Sequence, residues 1–343
     1  MIELSIPAAA PDDPEKFPDW CEEHAGALAD WLEFYALAEA RNEAVVENLL
    51  DALDLTWDME DEEIHIRDQF LEDIGGVVMG EVDARRRALG AAYPFAASDD
   101  GATLALVPDW THGGATYLFC LILAHVTRSP ILPPPLRPPA EKVPEARNEL
   151  FESCATVGAA SITRGPAFRM GALRRGAEAL LTKLREVWAL VGDGQVRDKV
   201  LPDAPLQVND GGVDVISWRL PRDGRAGTLY LLGQAASGHD WVSKPISEEG
   251  VRLFHRDWFD PAPASRPATH TFVPFRVDGD LERHTIIHGT LIDRLRLPGH
   301  VDDAISLAEG GLEPIEGLDA LPRVRAWVIE HQEFMRGGGA DAA

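Results

Sequence analysis

The chain has 343 residues with an apolar fraction of 45%, enough for two domains or one large one with a real core. Its net charge of −25 is uneven: residues 1–145 hold 9 Lys+Arg against 29 Asp+Glu, and residues 146–343 hold 23 against 28. Bulk charge attraction to nucleic acid is therefore excluded, and the three scattered cysteines, Cys21, Cys120 and Cys154, exclude a disulfide framework or a cysteine metal site.

The first residues, MIELSIPAAAPDDPEK, lack a basic region followed by an apolar run, so no signal peptide is expected. Asp19 to Leu55 reads as helix, with Trp31, Phe34, Tyr35, Leu37 and Ala38 on one apolar face and a second amphipathic unit from Val45 to Leu53. The acidic run Asp58–Glu63 reads as a solvated turn or helix start. Ile64 to Leu89 is a long helical pattern with a weak point at Gly75-Gly76. It ends in Arg85, Arg86 and Arg87, which read as a helix C-terminal cap or, alternatively, a phosphate patch. Tyr93 to Ala105 turns to strand around Asp99-Asp100-Gly101. Thr116 to Val126 reads as a buried helix, too short to span a bilayer. A soluble, cytoplasmic protein with no membrane partner is the expectation.

SPILPPPLRPPAEKVP, residues 129–144, has too many prolines for a helix or a central strand. It is expected to be a linker between an acidic, mainly helical domain (residues 1–128) and a second domain (145–335), with a disordered tail at 336–343. The second domain opens with a helix from Glu145 to Gly158 that carries Glu152. A further helix is expected to start in the stretch from Arg164 to Arg175 and to run to Leu190, with Glu178 and Glu186 on it. Arg164, Arg169, Arg174 and Arg175 make this the densest basic stretch, fit either for phosphate contact or for a solvated helix face.

Asn209 to Lys244 is the stretch with chemistry in it. Val213–Arg219 and Thr228–Leu232 are rich in β-branched and aromatic residues, and PRDGRAG between them is turn chemistry, so a hairpin is expected. Asp214 sits near the start of the first strand, Gln234 closes the second, and Lys244 follows ten residues on. An acid and a polar group converging at one sheet edge suit a divalent metal and a phosphate, with a cation to stabilise the attacking or leaving oxygen. The bland alternative is a surface hairpin with ordinary turn polars. Further strands are expected at His270–Val277 and Thr285–Leu291, with Arg256, Trp258 and Phe259 on a crossover helix before them. A last helix is expected from about Leu321 to Met335. His255, His284 and His288 share no metal-ligand spacing with an acid and read as structural.

The segment resembles the core of the PD-(D/E)XK restriction-endonuclease superfamily in its Mrr-like branch, where a GG-[IV]-D strand precedes a strand ending in Q-x-K. Gly211, Gly212, Val213, Asp214 and Gln234 match, whereas Ala236 stands at the lysine position. It is more closely similar to a group of bacterial proteins suspected of phage defence. That group carries DGG-[VIL]-DV-x-x-W and then GQ-x-A-x-G-x-x-W-x-x-K, matched by Asp210, Asp214, Trp218, Gln234, Ala236, Gly238, Trp241 and Lys244. The resemblance implies an α/β protein: a helical N-terminal domain plus a mixed-sheet nuclease domain with flanking helices. It implies a DNA endonuclease using Mg²⁺ or Mn²⁺, with Asp214, Gln234 and Glu152 on the metal and Lys244 on the scissile phosphate. Glu178 and Glu186 are rivals of Glu152. The implied partners are DNA and a protein encoded nearby, such as an ATPase, helicase or sensor, and a homo-oligomer is possible. The departures at Gln234 and Ala236 keep open a catalytically inactive nuclease fold that binds nucleic acid or a partner. An adaptor role for the N-terminal domain within a defence assembly also stays open.

Overall fold

The computed structural model describes residues 4–11, 13–53, 63–126, 129–171, 176–202, 212–225, 227–246, 248–277 and 279–337. Most of the acidic run at 58–63, together with Asp210, Gly211, Arg174, Arg175 and the tail from 338, lies outside them. The chain divides into two compact units, residues 1–139 with 326–343, and residues 140–325.

In the first unit, α1 (Phe17–Ala38) is apolar on nearly every side from Leu28 onward, and all five residues of the expected face are buried. A helix apolar all round belongs inside a core. It stops at Ala38, short of the expected Leu55. Asn42 takes a positive φ of 60°, and a short strand β1 (Glu43–Val45) precedes α2 (Val46–Ala52). Helix α3 (Glu63–Leu89) runs unbroken through Gly75-Gly76. The expected hairpin follows as β2 (Phe95–Ala97) and β3 (Thr103–Leu106), turning at Gly101 with φ 68°, in an antiparallel sheet of order β1-β3-β2. Helix α4 (His112–Ala124) is buried from Gly113 on, and the Thr111 hydroxyl accepts the Gly114 N–H at its start (2.9 Å).

The proline-rich stretch is not a free spacer. Up to Pro139 it belongs to the first unit, where Ile131, Leu132 and Leu136 are buried and Ser5 N–H donates to the Ile131 carbonyl (2.8 Å). Proline lacks an N–H, so extended proline-rich chain brings apolar side chains into a core with few donors left to satisfy. The C-terminal end also differs from expectation, since residues from Ala326 return to the first unit. Trp327 meets Phe119 edge-on (5.2 Å between ring centroids), and the Gln332 amide donates to Leu37 O (2.9 Å), a carbonyl in the last turn of α1.

His331, stacked on Trp327 and Phe334, is buried, and that burial pushes its pKa down to about 3. The ring is neutral in the fold and titrates near 6.5 in the unfolded chain. Its contribution is therefore complete above pH 6.5 and is lost as pH falls toward 3. His331→Phe is expected to narrow the stability difference between pH 7 and pH 5 by about 2 kcal/mol, read from urea unfolding at the two pH values. An unchanged difference would show that His331 carries none of the acid sensitivity.

The second unit opens with α5 (Val143–Glu145), a π-helical turn (Ala146–Leu150) and α6 (Phe151–Thr163). Then come β4 (Ala167–Arg169), α7 (Ala177–Val191), β5 (Val215–Arg219), β6 (Leu229–Ala235) and α8 (Glu248–Trp258). The remainder is β7 (Ala268–Phe272), α9 (Leu281–His288), β8 (Thr290–Ile292), α10 (Leu297–Glu309) and the start of α11 (Leu321–Arg336), whose residues from Ala326 belong to the first unit. The five strands form one sheet of order β4-β5-β6-β7-β8. The β4–β5 and β5–β6 pairs are antiparallel, and β6–β7 and β7–β8 are parallel. The hairpin read from the sequence is the β5–β6 pair, in register from Val215↔Gly233 to Arg219↔Leu229.

Two local expectations are overturned. No helix starts at Arg164. That residue ends α6 with φ 54°, and a Cβ on the next residue, Gly165, would lie 2.8 Å from the Trp218 carbonyl carbon. The chain is thus held against β5 and forms β4. Thr285 to His288 is helix, because the Asp280 carboxylate accepts the Arg283 N–H (2.9 Å) and caps α9.

One sheet face packs Phe168, Met170, Ile216, Trp218, Tyr230 and Leu232 with the apolar sides of α7 and α8. Helix α6 covers the other face, where Ser217 Oγ lies 2.6 Å from Thr163 Oγ1 and 3.2 Å from Ala159 O. Gly158 lets α10 approach α6, since a Cβ there would meet Leu297 Cδ1 at 2.7 Å.

Candidate functional site

The site forms where the first turns of α6, the end of β4 and the start of β5 meet. Val215 is the register partner of Gly233, yet the Asp214 N–H also donates to Gly233 O (2.9 Å). Val215 and Asp214, the residue just before β5, thus both oppose Gly233 of β6, which is a β-bulge. Its effect is visible in the packing. Val213 and Ile216 both belong to the core under α7 and α8. Asp214 and Val215, between them, do not belong to that core, as a bulge that puts two successive side chains on the other side of the strand requires. Strict alternation would have sent Asp214 into the apolar core with Ile216.

The carboxylate is fixed there, as Asp214 Oδ2 accepts the Ala235 N–H (2.8 Å) and the Asp214 carbonyl accepts the Met170 N–H (2.6 Å). The next residue, Gly171, donates its N–H to Glu152 Oε1 (2.8 Å). Consecutive residues at the end of β4 therefore tie Asp214 and Glu152 to one place. Glu152 is only 5% exposed, and Arg169 Nε lies 3.7 Å from its Oε1. Phe168 and Met170 point to the α7 and α8 core, so Arg169 between them shares the α6 face with the two acids.

Gly171 leaves no room for a side chain. A Cβ there would lie 2.8 Å from Glu152 Oε1 and closer still to Oε2. Gly171→Ala is expected to destabilise the protein by about 1–3 kcal/mol by displacing the Glu152 carboxylate. In a Glu152→Ala background the same change is expected to cost much less. A double-mutant cycle by chemical unfolding checks this, and additive costs would mean the crowding lies elsewhere.

The remaining expected residues are not all drawn in. Gln234 is adjacent to Asp214 on the neighbouring strand. The alternation of β6 sets it on the face of Leu232, and its register partner is Thr271 of β7. Its Oε1 is buried without a hydrogen-bond partner. Lys244 is half exposed (49%) and its ammonium pairs with Asp240 (2.9 Å), not with Asp214 or Glu152. The Lys244 hydrogen bond and charge hold Asp240 below the usual carboxylate range. Arg164 is exposed at the far end of α6, twelve residues from Glu152, or roughly 18 Å at the helical rise. Of the arginine set, Arg169 is placed at the site, whereas Arg174 and Arg175 lie outside the described residues. Glu178 and Glu186 are exposed on α7, across the sheet from α6, whereas Glu152 is linked to the Asp214 backbone through the consecutive residues Met170 and Gly171.

The bulge and the π-helical turn that leads into α6 were not foreseen from sequence. Among the described residues no group of three or more His, Cys, Asp or Glu is arranged to hold a metal. The two carboxylates are hard oxygen donors without imidazole or thiolate. That donor set fits Mg²⁺ or Mn²⁺, which take one or two protein carboxylates and complete their shell with water and phosphate oxygens. Comparison with protein-family models, curated proteins and solved structures returns no match. No helix among the described residues is long and apolar enough to cross a membrane.

Proposed function

We propose that the second unit is a metal-dependent DNA endonuclease. The observation that carries this is the bulge that turns Asp214 out of the core face to the side where Glu152 and Arg169 already lie. The element order adds support. A helix bearing a glutamate, three antiparallel strands with α7 inserted between the first two, a crossover helix and a parallel strand form a mixed sheet of the kind the resemblance implies. In this reading Asp214 and Glu152 hold Mg²⁺ or Mn²⁺, and the N–H groups of Ala235 and Gly171 hold one oxygen of each carboxylate in place. A bound ion supplies Lewis acidity at the phosphate and a water of lowered pKa. The acidic first unit, repelled by DNA, takes a protein partner that delivers the second unit to its substrate, as an effector of anti-phage defence would require.

A second reading is a nuclease fold without activity that binds nucleic acid in a larger assembly. Buried Ala236 at the lysine position, and Gln234 on the opposite face, favour it. Incubation with supercoiled plasmid, linear duplex, single strands and RNA, in Mg²⁺, Mn²⁺ and EDTA, separates the two. Products in the metal lanes alone are expected, with duplex DNA the best substrate. Nucleic-acid binding without product under every condition selects the inactive fold.

A further inference from the structure

We infer that Arg169 is the phosphate-binding cation of this site, the role that the family resemblance assigned to a lysine. The inference rests on the hydrolytic reading for the effect on rate, but not for the phosphate contact itself.

Arg169 is the last residue of β4, with Val215 as its register partner, one place from the bulge. Its backbone is pinned, since Arg169 N–H donates to Glu316 Oε2 (2.8 Å) and Lys183 pairs with Glu316. The guanidinium is largely buried, with 16% of the side chain exposed. Its Nε and one terminal nitrogen, Nη2, are buried and make no hydrogen bond. The 3.7 Å to Glu152 gives charge attraction, but it is too long for a hydrogen bond. Guanidinium N–H groups out of water and without an acceptor are costly, and a planar fork of such donors matches two oxygens of a phosphodiester.

Among the described residues, two other lysines of this unit are already engaged, and the lysine of the motif is missing. Lys244 pairs with Asp240, Lys183 with Glu316, and Ala236 carries no charge. The resemblance places the cation on the strand after the acid. Here the strand before it, β4, supplies one to the same face, which accounts for the loss of lysine at 236. Glu152 keeps the guanidinium in place before substrate arrives, and Arg169 in turn offsets the repulsion between two carboxylates and an incoming phosphate.

The test uses the full chain. Binding of a labelled DNA duplex is followed by anisotropy in Ca²⁺ across a salt series. Cleavage is followed in Mg²⁺, and Mn²⁺ binding by calorimetry. For Arg169→Gln we expect the slope of log affinity against log salt to fall by about one phosphate contact. Cleavage is expected to fall about 100-fold or more, with Mn²⁺ affinity within twofold of wild type. Arg169→Lys is expected to restore the salt slope and only part of the rate, because an ammonium replaces the charge but not the fork. Wild-type slope and rate in Arg169→Gln, alongside an inactive Asp214→Ala, would overturn the inference and leave the hydrolytic reading standing. If the wild type cleaves nothing, the hydrolytic reading fails alone, and the salt slope still decides the contact.

Discussion

Arg85→Ala is expected to destabilise the first unit by about 3–5 kcal/mol, the usual cost of stripping one partner from a buried ion pair. The Arg85 side chain has no exposure. It reaches Asp30 (2.7 Å), Glu33 (2.9 Å), Glu81 (2.8 Å) and the Gly26 carbonyl (2.8 Å). Glu33 is also buried and accepts the hydroxyls of Tyr93 (2.7 Å) and Tyr117 (2.8 Å to its nearer oxygen). Without the guanidinium, two acids remain inside with no strong cation, in the part of the chain that already carries most of the negative charge. A stability of about 5–15 kcal/mol is typical of a domain, so a loss of this size approaches unfolding. Denaturant titration checks it. Adding Glu33→Gln to Arg85→Met is expected to recover part of the loss, since the uncompensated charge goes with its partner. A loss below 1 kcal/mol would mean that water reaches the cluster.

Arg85 also marks a limit of reading residues in order. In the run Arg85-Arg86-Arg87 at a helix end, all three look alike, and cap or phosphate patch was the natural reading. Only Arg85 points inward, to an acid 55 positions away. The hairpin around Asp214 was legible because alternation and turn residues are local signals. The bulge was not, because it exists only in the register between β5 and β6. The alternation of β6 likewise sets Gln234 on the face of Leu232, which its place two residues before Ala236 does not reveal. β4 was missed because three residues between Gly165 and Gly171 are too few to show a period. Most of Thr285–Leu291, expected as strand, is the end of α9, and only Thr290 and Leu291 belong to β8, although Asp280 three residues before Arg283 is a usable cap signal. Glu152 stood out only through the family pattern, and the structure separates it from Glu178 and Glu186 by face.

Asp214→Ala is expected to remove metal-dependent cleavage by about 10³-fold or more, the equivalent of several kcal/mol of lost charge stabilisation in the transition state. The fold is expected to survive. The variant loses the acceptor of the Ala235 N–H, so a stability cost of about 1 kcal/mol is expected, far smaller than the loss of rate. The face assignment adds two sharper outcomes. Gln234→Ala is expected to keep Mn²⁺ affinity, because its amide lies across the sheet from Asp214. Lys244→Ala is expected to keep most of the rate, because its ammonium is half exposed and paired with Asp240. Loss of metal binding in Gln234→Ala equal to that in Asp214→Ala would restore the arrangement implied by the motif and refute the bulge-directed site.

The most direct measurement is the single-turnover rate of DNA cleavage as a function of Mg²⁺ concentration, for wild type, Glu152→Gln and Glu178→Gln. A site built from Asp214 and Glu152 predicts a rate that saturates with Mg²⁺ and vanishes in EDTA. It predicts a Glu152→Gln curve displaced by at least about tenfold toward higher Mg²⁺, as loss of a ligand charge requires, and a Glu178→Gln curve that overlays wild type. Overlaying curves for wild type and Glu152→Gln, or a rate that persists in EDTA, would contradict it.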